Sequence, residues 1–194
     1  MRLTASFISV VVVLMGCAPK NPNRVPLQKA LNEATALADS ISRFPVDSIL
    51  SVRDKLNKAK ETVQWLGEDS VEFIRNDAPI IGKLTSAMGY LKDAPSRLKY
   101  LDNTSGKCIE QINGLLEVID SGANIDARGD TITDGYISEN ATREIDHVRK
   151  LNEVYLETHR LFRLGLETDA QYWGEIDSLL TAKQGVWARS KVGE

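Results

Sequence analysis

Two histidines occur in the 194-residue chain, and both fall in a stretch dense with carboxylates. Glu144-Ile145-Asp146-His147 places a carboxylate three residues before an imidazole. On a helix that spacing puts both groups on one face, the arrangement from which carboxylate metal sites in helical bundles are built. Such a site needs two motifs of this kind and two further Glu residues. Only one motif is present, because Leu156 stands three residues before His159. The expectation is a surface Glu–His pair, with no metal and no cofactor. Asn152, Tyr155 and His159 form a second group. They recur with Ala141, Ile145, Val148, Phe162 and Leu166 in alternating steps of four and three. Polar residues on such a seam predict a hydrogen-bonded pair that fixes helix register, with Tyr155 beside it. The alternative is a polar spot lining a ligand cavity.

Nucleophilic chemistry has little support. Cys108 lies among Ile109, Ile112, Leu115, Leu116 and Ile119 and reads as a buried small hydrophobe, with no base placed beside it. Gly-x-Ser-x-Gly, His-Glu-x-x-His, phosphate-loop and dinucleotide fingerprints are all missing, so no catalytic residue is assigned. Asp126, Asp130 and Asp134 lack the ligand order of an EF-hand loop and read as a solvated loop. Arg128-Gly129-Asp130 within it is a tripeptide common by chance.

The elements that must position these residues read as helices. Leu27, Leu31, Ala34, Ala38 and Ile41 make a first apolar stripe, stopped by Phe44-Pro45. Asp47 is expected to cap the next, whose stripe is Ile49, Val52, Leu56, Ala59, Val63 and Leu66. Asp69 with Glu72 suggests a capping box at a further helix start, and Pro79 and Pro95 suit first helical turns. Asp102 to Gly106 reads as a turn before the Cys108–Ile119 stripe. Residues 121–135 crowd Gly, Asn and Asp into the clearest loop. Beyond it a long helix is expected over about 138–166 and a last one over about 168–190. That last helix carries Trp173, Ile176, Leu180 and Trp187, with Lys183 in the gap. Trp173 and Trp187 read as core, and Trp65 as packing beside its own seam.

A net charge of −3 argues against nucleic-acid binding, which needs clustered cations. It also leaves no polybasic patch for an anionic membrane surface. The N-terminus supplies a different route to a membrane. Met1-Arg2 is a short basic start, and Leu3 to Met15 is an uncharged run too short to span a bilayer but suited to a secretory signal. It ends in Leu14-Met15-Gly16-Cys17.

That tetrapeptide resembles the lipobox of bacterial lipoproteins: an aliphatic residue, a tolerant position, a small residue, then cysteine. The resemblance covers the leader alone. It implies cleavage between Gly16 and Cys17, with diacylglycerol on the Cys17 thiol and acylation of its freed amine. Two or three chains anchor stably where one does not. Ala18 follows, where aspartate commonly marks inner-membrane retention, so the resemblance implies the outer membrane, facing the periplasm. Loss of Arg2 with the leader leaves 23 basic against 27 acidic residues.

The expected organisation is a signal peptide over 1–16, a tether over 17–25 and one all-α domain over 26–194. That domain is expected as an antiparallel bundle of about five to six helices in two long hairpins. With no catalytic constellation, the expected function is protein–protein interaction at the cell envelope, with another envelope protein or with a second copy. The alternative is a helical bundle that binds a small ligand or metal through polar residues of the 138–166 helix.

Overall fold

A computed structural model describes residues 21–125, Gly129 and 131–192. Gly16, Cys17, Asp126, Arg128 and Asp130 lie outside the described residues, so the lipobox-like tetrapeptide and the Arg128-Gly129-Asp130 tripeptide have no structural account. Five α-helices are present: α1 (Arg24–Ser42), α2 (Val46–Glu68), α3 (Ala78–Leu91), α4 (Ala94–Ser121) and α5 (Asp134–Val192). A 3-10 turn (Arg75–Asp77) precedes α3. Among the described residues, β-structure is limited to one isolated bridge, Ile125 with Thr131. No helix among them is long and apolar enough to cross a membrane.

Proline placement explains the breaks. All six prolines precede residue 96. Pro45 lacks the N–H that would continue α1, and Pro95 does the same between α3 and α4. Pro26 and Pro79 sit in first turns, where a missing N–H costs nothing. The 59 residues of α5 contain no proline and run unbroken for about 88 Å at 1.5 Å per residue.

Pairing across the helices gives the topology. Arg24 at the start of α1 meets Asp120 at the end of α4, with Nε 2.7 Å from Oδ1. Arg97 of α4 donates to the Thr158 hydroxyl of α5 at 3.3 Å. Lys55 of α2 reaches Asp169 of α5, and Trp65 of α2 lies on Trp187 near the end of α5. The chain therefore runs up through α1 and α2, down through α3 and α4, and up again through α5. Three rods result, two of them bent and one continuous. In the proximal half α1, α4 and α5 pack together; in the distal half α2, α3 and α5 do.

Several expectations change here. The two-hairpin layout gives way to three rods, because α5 spans both halves. The breaks expected within α5 and at 102–106 are absent: a seam packed on both sides holds helix through residues that favour turns in isolation. Only Lys92 and Asp93 separate α3 from α4, and counted as one bent helix they leave four, fewer than the expected five to six. Asp47 lies inside the first turn of α2 and Pro45 holds the cap position. Asp69 and Glu72 start no helix; Asp77 instead accepts the Ile74 N–H at 2.9 Å. Arg24 and Val25 already belong to α1, so the expected tether ends two residues early.

The distal tip is held by polar clamps from α5 onto the 69–77 connection. Lys183 Nζ lies 2.6 Å from Asp77 Oδ2 and donates to the Glu72 carbonyl at 2.8 Å. The Trp187 indole N–H donates to the Asp69 carboxylate, and Lys191 approaches the same carboxylate at 3.4 Å. The Trp187 bond holds Asp69 below the usual carboxylate range, against a burial that pulls it up, and Lys191 adds to the lowering. Lys183 does the same for Asp77, with the Ile74 N–H assisting. A depressed carboxylate contributes stability that is complete above its unfolded pKa, about 4, and lost as pH falls through the lower folded value. Acid titration is expected to leave tryptophan emission unchanged down to about pH 4 and to red-shift it below. Asp69→Asn should abolish much of that transition, and a transition equal in the variant would show that the clamp is not its source.

Candidate functional site

Seven-residue periodicity divides α5 into three stripes. Ala141, Val148, Tyr155, Phe162, Asp169 and Ile176 form one, and Glu144, Leu151, Thr158 and Gly165 a second. Together they alternate in steps of three and four and form the buried seam, with only Tyr155 half-exposed. Ile145, Asn152, His159, Leu166, Trp173, Leu180 and Trp187 form the third, which flanks the seam. The stripe expected from the sequence takes alternate residues of the first and third, which lie four residues apart and about 40° around the helix.

The third stripe has two fates. In the distal half α2 covers it. Lys55 Nζ sits 4.0 Å above the Trp173 ring, Leu180 is buried, and Trp187 contacts the Trp65 ring at 4.8 Å between centroids. Trp173 and Trp187 are thus half-buried under α2 instead of core, while Trp65 packs on Trp187 and remains 41% exposed. In the proximal half α1 leaves the stripe open. From α1, Ala30, Ala36 and Ser40 line the opening beside Lys29, Glu33 and Leu37. A furrow results, made of two open cavities of about 620 and 400 Å³ that share Ser40.

All three candidate residues line this furrow, and none forms a polar core. Asn152 and His159 are exposed, because the core-facing position one step away is taken by Leu151 and by Thr158. Asn152 belongs to the larger cavity with Ile145 and Val148. Tyr155 and His159 belong to the smaller one, with ring centroids 6.0 Å apart, and each lies about as far from Phe44 (5.7 and 6.1 Å). The expected Asn152–His159 register pair is therefore corrected: the two open onto adjoining cavities and face solvent.

Sequence reasoning missed Phe44. Read there as part of a helix stop, it is a buried aromatic plug meeting Phe162 edge-to-face at 5.4 Å. The signal was an aromatic residue directly before a helix-ending proline, which forces its ring back onto the neighbouring rod. Glu144 was also misplaced. It is buried, not a surface residue, and its Oε2 lies 3.2 Å from His147 Nδ1. No cluster of three metal-ligating side chains surrounds the pair among the described residues. Cys108 is buried as expected. Burial first, and the Glu144 carboxylate second, push its thiol pKa up, which disfavours the nucleophilic thiolate.

No protein family, curated protein or solved structure matches this chain. The geometry of the furrow is therefore the basis of the functional reading.

Proposed function

We propose that this protein is a lipid-anchored envelope protein that receives a partner's amphipathic helix in the α1–α5 furrow and performs no catalysis. One observation carries the reading. The third stripe of α5 is covered by a helix in its distal half and uncovered in its proximal half, while keeping its heptad spacing throughout. A helix laid over the furrow would cover Ile145, Tyr155 and Leu166, which are only half-buried, in the manner of helix-in-groove recognition. The lipobox-like leader supplies the location. Acylated Cys17 would lie seven residues before Arg24, a span of at most about 25 Å fully extended. The furrow then sits in the half of the rod nearer the membrane, on the periplasmic face of the outer membrane. Either another envelope protein or a second copy of this chain would suit the furrow.

Replacing Cys17 with Ser is expected to abolish acyl labelling and release the protein from membranes; labelling that survives would defeat the anchor. A photo-crosslinking amino acid at His159 should capture one discrete protein in intact cells. The same group at Lys107, on the exposed outer side of α4, should capture none. Capture from Lys107 and not from His159 would move the interface away from the furrow.

A further inference from the structure

The smaller cavity differs chemically from the rest of the furrow. It opens where Pro45 breaks the first rod, and its floor is Phe44, Phe162 and Leu166, with the Tyr155 and His159 rings as a wall. Arg43 stands at the mouth, exposed, and its guanidinium makes no hydrogen bond or ion pair among the described residues. The other charges there cancel: Arg163 Nη1 lies 3.4 Å from Glu167 Oε1. The other basic rim residues of the furrow are likewise paired, Lys29 with Glu33 and Arg149 with Asp146. One uncommitted guanidinium over an aromatic floor is left.

We propose that this cavity binds a small amphiphilic carboxylate, with its head on Arg43 and its apolar body against Phe44, Phe162 and Leu166. A single guanidinium matches one carboxylate through two parallel N–H bonds. The volume, about 400 Å³, falls in the range that accepts small organic ligands. The aromatic floor supplies apolar area, and the charge fixes which end faces out. This site shares Tyr155, His159 and Leu166 with the proposed helix groove, but it is argued from Arg43 and Phe44 at the joint, which the helix-docking reading does not use.

Calorimetric titration of the full chain with decanoate, below its micelle concentration, should give saturable one-to-one binding. Decanol should bind about tenfold more weakly, and Arg43→Gln should remove that difference by weakening decanoate alone. Arg43 is exposed, so the variant should keep its helical circular dichroism. Ala36→Glu, in the larger cavity, should leave decanoate binding unchanged while impairing capture of a helical partner from position 159. Equal binding of decanoate and decanol, no loss in Arg43→Gln, or no saturable binding at all would overturn the proposal. Tighter binding of monomeric dihexanoyl phosphatidylglycerol than of decanoate would overturn it too, in favour of a phospholipid headgroup.

Discussion

Gly165→Val is expected to destabilise the protein by about 3 kcal/mol, lowering Tm by roughly 6–12 °C in a chain of this size. Gly165 lies mid-way along α5, where the helix passes the end of α3. A Cβ built there would stand 2.5 Å from both Cγ and Cδ2 of Leu91 and 3.1 Å from Cδ1. Leu91 is fully buried, so its side chain has no space into which to retreat. Alanine already incurs most of this conflict. Its better helix propensity, worth about 1 kcal/mol, offsets only part of an overpacking cost of about 1–3 kcal/mol. Gly174, in the same helix, has nothing within 4 Å of a built Cβ. Gly174→Ala should therefore raise stability by up to about 1 kcal/mol. Opposite signs at two glycines nine residues apart are the result to look for in thermal unfolding. Two alanines that both stabilise would mean that α5 and Leu91 are not in close contact. Leu91→Ala should relieve Gly165→Val, since the two changes share one space.

The second large effect is expected at Lys55 and Asp169. The Asp169 carboxylate is 8% exposed and has Lys55 Nζ at 2.7 Å from Oδ1 and 2.8 Å from Oδ2, the second as a hydrogen bond. No hydrogen bond reaches Oδ1 among the described residues. Lys55 is about one-third exposed and also rests over Trp173. The pair is thus lopsided. Removing the cation strands a buried carboxylate; removing the carboxylate leaves a lysine that can turn to water while keeping its ring contact. Lys55→Met should cost about 2–3 kcal/mol, below the full value for breaking a buried pair because solvent reaches the lysine. Asp169→Ala should cost about 1 kcal/mol. The double variant Lys55→Met with Asp169→Leu should recover most of the loss, because apolar replacements satisfy the site without a stranded charge. Chemical denaturation at neutral pH orders these three. Asp169→Ala proving the more damaging single change would contradict the lopsided picture.

These two sites also explain why α5 was read as two helices. Gly165 and Asp169 bracket the break expected near residue 167, and both are unusual in a helix interior when judged alone. In the folded chain each has a tertiary reason: a close approach at Gly165 and a partner on α2 for Asp169. The same holds for Asp102 to Gly106, whose turn-forming composition is overridden because Leu101, Ser105 and Cys108 pack on the core side of α4.

The α1–α5 furrow was only partly legible. Asn152, Tyr155 and His159 stand out from their spacing, and all three do line it. Periodicity could not say whether that stripe faced inward. Two heptad stripes one residue apart differ by about 100° around a helix, and both contain apolar residues. Glu144, Thr158 and Asp169 occupy the buried seam, so polarity misdirects the choice. Phe44 and Arg43 lie in the α1–α2 connection, more than 100 residues away in sequence, and enter the site only through the third dimension.

By itself the sequence determined the all-α class, the rod break at Pro45 and the burial of Cys108, because each follows from local backbone chemistry or from the apolar content of one helix. Tertiary structure alone decided that α5 is one continuous element, that the layout is three rods and not two hairpins, and which stripe of α5 is left uncovered. Those outcomes depend on how α1 sits against α5 and on where Leu91 and Lys55 meet α5. Such pairings lie between residues 74 and 114 positions apart, beyond the reach of any local pattern.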